Sequence, residues 1–253
     1  MHIHIPVIDW LPTIGGSILA AALFVAALSS AARRAPLPAN RSLTAILSVV
    51  AFTIVWFATY SYAAEKGIFA VNPALPIPLL PIALILPLIA AVWALQATPT
   101  LRALVAEIPQ QQLIGIQIIR LMGFAFLLLL AQSLLPPVFA LAAGIGDMLV
   151  GFEAILVARL YARGAASAPT MGLIWNLTGI ADFAVAMAIG FLAATTPLRL
   201  IHVSPSTDLI TFLPLVMVPV FGIPVFLTLH ILSLRRVMAE LKVRTAAIPM
   251  GAR

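Results

Sequence analysis

Three charged residues, Arg120, Asp147 and Asp182, each fall near the middle of a long apolar run. An Arg or Asp at the centre of a spanning helix costs roughly 2.5–3.5 kcal/mol on insertion scales, so each calls for a partner. One arginine with two carboxylates offers two kinds of chemistry. The first is an ion pair that fixes helix register. The second is an acid that exchanges a proton, beside a cation that tunes it or holds an anion. Which aspartate pairs with Arg120 is open at this level. A secondary polar layer comprises Gln117, Glu153, Asn176 and His230. Glu153 is six residues from Asp147, which at roughly 100° each places it about 120° around the helix. Asn176 stands in the same relation to Asp182, so the two layers need not form one site. Glu153 is expected to reach toward a membrane interface, Asn176 to bond a neighbouring helix, and His230 to be a hydrogen-bonded packing residue.

Neighbouring residues say which way the acids face. Ala143, Gly144, Asp147, Gly151 and Ala154 share one face, and Thr178, Gly179, Asp182 and Ala186 share another. Small residues at that spacing let helix backbones approach closely. Gln117, Arg120 and Gly123 form a third, less regular face. All three charges are therefore expected inside a bundle.

Of the chain's 253 residues, 63% are hydrophobic and 9% charged, against about a quarter charged in soluble domains. A spanning helix needs about 20 apolar residues. The fold expected is an all-α polytopic bundle of about seven spans, in a single transmembrane domain covering 1–253. The spans are 12–32, 43–64, 77–96, 111–133, 137–160, 171–195 and 211–234, followed by a short basic tail, 235–253. Of the 14 Lys and Arg, Lys66 and Arg199 fall on one side and Arg120 within a span. The rest fall on the other side, from Arg33, Arg34 and Arg41 through Arg102, Arg159 and Arg163 to the tail. That bias makes the richer side cytoplasmic, the N-terminus outside and the C-terminus inside. It also explains the +6 charge without nucleic acid. Met1–Ile14 has no Lys or Arg and the basic pair follows the apolar run, the reverse of a signal peptide. Trp10, Tyr60 and Tyr62 suit the outer interface, and Trp93 and Trp175 the inner one. Thr98–Glu107 reads as a short amphipathic surface helix, and residues 161–170 as a loop. Span three, proline-rich at Pro73, Pro76, Pro78 and Pro81 with Pro87 inside, is expected at the periphery.

Most catalytic classes lack their residues. No lysine lies in the last span for a retinal Schiff base, and His230 alone cannot ligate haem from both faces. His230 with Glu153 is too few for catalytic zinc, and His2 and His4 on a terminus make a poor metal site. Cysteine is absent. No catalytic residue, metal or cofactor is assigned.

Gly146-Asp147, Val150-Gly151, Trp175-Asn176 with Gly179 and Asp182, Leu213-Pro214, Val218-Pro219 and His230 with Ser233-Leu234 carry a resemblance. Over residues 111–236 the chain resembles a group of uncharacterised bacterial multi-pass membrane proteins without assigned activity. The resemblance implies a prokaryotic inner-membrane protein whose partner is the lipid bilayer. Two functions remain. One is a permease for a small solute or protons. The other is a structural, assembly or sensory protein locked by the cluster. Oligomeric state is open.

Overall fold

The computed structural model describes residues 10–72 and 79–246. The expectations at His2, His4, Pro73, Pro76, Pro78 and the tail's last residues lie outside that range. Within it the helices are α1 (Leu11–Ala32), α2 (Ala39–Glu65), α3 (Leu79–Ala97), the short α4 (Pro99–Ala106), α5 (Gln110–Ala131), α6 (Pro137–Ala162), α7 (Ala168–Leu192) and α8 (Val218–Ala246). All but α4 are long and apolar enough to cross a membrane. No strand occurs among the described residues.

Proline and glycine set the boundaries. Pro12, Pro99, Pro137, Pro169 and Pro219 occupy first turns, where the missing N–H is no loss. Gly67 and Gly164 take positive φ just past α2 and α6, a conformation that favours glycine. Pro169 starts α7 early, so the connection expected over 161–170 shrinks to 163–167. Conversely, α8 begins at Val218 and not near 211. Pro214 denies its approach a donor of a regular helix. Residues 213–216 form turns. Leu215, Val216 and Met217 there are fully buried, so this irregular backbone is covered by protein. Pro224 has no N–H for the Val220 carbonyl, and Trp56 Nε1 donates to that oxygen at 3.2 Å.

The expected amphipathic helix is α4, with Leu101, Leu104 and Val105 buried and Arg102 exposed. Its C-terminal carbonyls are held by two arginines. Arg236 Nη2 donates to Val105 O at 2.9 Å and Ala106 O at 3.2 Å, and Nη1 donates to Ile108 O. Arg34 Nη2 donates to Glu107 O at 2.9 Å. Guanidinium groups thus satisfy carbonyls that a helix end leaves open. Part of the expected tail is therefore helical and docked.

Helices α5 to α8 enclose the polar residues, with α1 against α5. Outside them, α2 and α3 present Ile54, Val55, Leu86, Ile89 and Trp93 outward.

Candidate functional site

Helix α5 changes character at its centre. Between two α-helical stretches, Gln117–Gly123 forms seven residues of 3₁₀ helix, just over two turns. Three residues per turn stack Gln117, Arg120 and Gly123 along one line, and all three are buried. The face that looked irregular at 3.6 residues per turn is regular at 3.0. Its glycine lets α6 approach: a methyl on Gly123 would lie 2.5 Å from Asp147 Cβ. On α6, a methyl on Gly151 would lie 2.8 Å from the Leu121 nitrogen. Such a methyl on Gly146 would collide with the Asp182 carboxylate, and one on Gly179 with the His230 ring. The small residues thus leave room for the charged and aromatic side chains.

Arg120 bonds both aspartates. Its Nε donates to Asp147 Oδ1 at 2.7 Å, and Nη2 donates to Asp182 Oδ2. Nη1 donates to Gly179 O at 3.4 Å and meets His230 Nε2 at 3.0 Å. The guanidinium carbon lies 3.8 Å from the centre of the Phe183 ring, close enough for a cation–π contact. The Arg120 side chain is wholly enclosed, whereas Asp147 and Asp182 keep 15% and 12% of their side-chain surface open. With both carboxylates ionised, the group carries a formal net charge of −1.

The His230 contact fixes a chain of roles. Arginine only donates, so His230 Nε2 accepts and its Nδ1 carries the hydrogen. Nδ1 donates to Asn176 Oδ1 at 3.0 Å. That orients the amide, whose Nδ2 donates to Gly172 O at 2.7 Å and Ser233 Oγ at 2.9 Å. Ser233 Oγ also accepts from Gln110 Nε2 at 2.8 Å. His230, Asn176 and Ser233 have no exposed surface. Asn176 and His230 of the second layer are therefore continuous with the first through Arg120, a link that helical angle alone did not require. Adjacent carboxylates are no part of that angle argument: the guanidinium spans the difference.

Other expected residues fall differently. Gln117 Nε2 donates to Phe226 O at 3.0 Å. Glu153 is half-buried, with no hydrogen bond or ion pair among the described residues. Thr178 is exposed and bonds its own helix at Ile174 O, so it leaves the expected face. Trp175 is no interface anchor. It is buried, donates to Val150 O at 3.0 Å, and its ring centre lies 4.7 Å from that of His230. The expectation failed because its chain position near a helix end looks interfacial. Gln110, at the start of α5, is likewise buried, against Ser233 of α8. Phe183 stands out in no sequence pattern, and Ser233 appears only within the family resemblance, without a role. Ser233 lies one turn from His230 and Phe183 directly follows Asp182, and these positions are what the sequence offers toward their roles.

A cavity of about 80 Å³ reaches both carboxylates. At its far end it meets Phe69, Thr196 and Thr207, from the connections α2–α3 and α7–α8. Between, Phe126, Phe139 and Phe191 line an apolar wall. A second space of about 40 Å³ touches Arg120 and Asp147 beside Thr13 and Ser17 of α1.

A family model described as a domain of unknown function, DUF8737, matches residues 77–238. The chain belongs to that family. The DUF8737 segment holds every residue of the network from Gln110 to Ser233 and leaves α1 and α2 outside. No curated protein and no solved structure matches the chain.

Proposed function

We propose that this DUF8737 protein is a multi-pass protein of the cell inner membrane and acts as a permease for protons or a small cationic solute. Its N-terminus lies outside and its C-terminus in the cytoplasm. The orientation rests on the basic residues gathered at one end, Arg33 through Arg244. Asp147 and Asp182 are the exchangeable acids, and Arg120 holds them in place.

The observation that carries this reading is the cavity that reaches Asp147 and Asp182 but not Arg120, whose side chain has no exposed surface. A guanidinium whose N–H groups meet Asp147, Asp182, Gly179 and His230, with Phe183 against one face, is badly placed to bind an arriving anion. Two carboxylates open to a chamber are well placed to take a proton or a cation. In the orientation above, the chamber leads to the outer face.

The competing reading, a bundle locked by its ion pairs, draws on the enclosure of Arg120. Dicyclohexylcarbodiimide separates the two, because it adds covalently to protonated carboxyls in apolar sites. In proteoliposomes, mass spectrometry should find an adduct on Asp147 or Asp182. A potassium diffusion potential should drive proton uptake, read by an internal pH dye, and the reagent should block it. Asp147→Asn and Asp182→Asn should each abolish uptake. Uptake no faster than in empty liposomes, with no adduct on either residue, would leave the lock as the reading.

A further inference from the structure

A larger opening lies away from Arg120. Helices α2, α3 and α4 border a groove of about 490 Å³, more than a benzene-binding cavity of about 150 Å³. Its two ends differ chemically. Asn40, Arg41 and Thr44 from the first turns of α2 meet Thr98 and Thr100 from the start of α4 at one end. Phe52 and Ala90 line the other, with Phe24 of α1 and Thr228 of α8 at its back.

The polar end is positive without compensation. Arg41 is exposed and forms no ion pair among the described residues. Neither α2 nor α4 has an acid in its first turn, and Thr98 makes no capping bond through its side chain. An arginine in a first turn adds to the positive end of its own helix, where an anion is favoured. Thr98 and Thr100 line the same groove and carry hydroxyls able to donate. The groove then descends from this end along an apolar wall.

We infer that the groove binds an anionic glycerophospholipid, with the phosphate at Arg41, Thr98 and Thr100 and an acyl chain between α2 and α3. Charge selects the occupant: a cationic end joined to an apolar trough matches an anionic head on a hydrocarbon chain. In the orientation proposed above, this end lies at the cytoplasmic face. The inference rests on that membrane placement and is independent of carrier activity. A chain that stays soluble without detergent would defeat the placement itself.

The test uses the full chain in mild detergent, by thermal unfolding and native mass spectrometry. Dioleoyl phosphatidylglycerol should raise the midpoint by about 5 °C and give a bound-lipid peak. Dioleoyl phosphatidylcholine, with the same chains, should do neither. Arg41→Ala should remove the shift, while Arg102→Ala, a nearby exposed arginine, should keep it. Ala91→Phe, which fills the trough, should remove the lipid peak from a protein that still unfolds cooperatively. Equal stabilisation by phosphatidylcholine or by inorganic phosphate overturns the inference, as does an undiminished shift in Arg41→Ala.

Discussion

The two sides of Arg120 are both polar, yet only one is open. On one side Asp147 and Asp182 retain some exposed surface and look into a phenylalanine-lined cavity. On the other, His230, Asn176 and Ser233 are fully buried and bonded in sequence to Gln110. The sealed side is neutral and joins α5, α7 and α8 by hydrogen bonds. The open side carries all the negative charge. A lock would need one carboxylate for one guanidinium, and a second adds an uncompensated charge that is costly to bury. Structure alone therefore accounts for the sealed side better than for the second aspartate, and that excess favours exchange at the open side.

The largest break comes from the residue both sides share. Arg120→Met should cost about 3–5 kcal/mol, because it strands two carboxylates among apolar side chains. Thermal unfolding in detergent reads the loss. Adding Asp147→Asn and Asp182→Asn to Arg120→Met should recover much of it. A triple variant as unstable as Arg120→Met would mean that the loss comes from His230 and Gly179, on the sealed side.

A smaller effect isolates the sealed side. Asn176→Leu removes the acceptor for His230 Nδ1–H and a donor to Ser233, and should cost about 1–3 kcal/mol. The carbodiimide adduct on the aspartates should persist, since neither bonds Asn176. Loss of the adduct in a folded Asn176→Leu protein would mean that the two sides are coupled through His230.

Apolar run lengths and proline positions sufficed to anticipate seven long helices and the buried face of α4. The small-residue stripe Ala143, Gly144, Gly151 and Ala154 put Asp147 on a packed face, and the structure packs it. Other features depend on information that a 3.6-residue period does not hold. The 3₁₀ stretch Gln117–Gly123 changes the period within one helix, so a wheel drawn at 100° scatters residues that in fact align. Trp175 and Gln110 have sequence positions typical of interfaces, and their burial depends on how α7 meets α6 and α8 and how α5 meets α8. Arg34 and Arg236 registered only as charges that set orientation, yet they also close the end of α4. The cavity has no sequence signal, because it is the space left between helices.

The smallest expected effect belongs to Glu153, an acid that the sequence groups with the sealed side and the structure leaves outside both. It is half-buried on α6, between exposed Phe152 and buried Ala154, and bonds no described residue. Glu153→Gln keeps shape and removes only charge, so stability should change by no more than about 0.5 kcal/mol. Proton uptake should also be unaffected, because the acids that face the cavity are intact. A Glu153→Gln protein that folds normally but loses uptake would give the proton a route from Asp147 toward the opposite end of α6. The sealed side would then be bypassed, and the contrast between the two sides of Arg120 would no longer describe how the protein works.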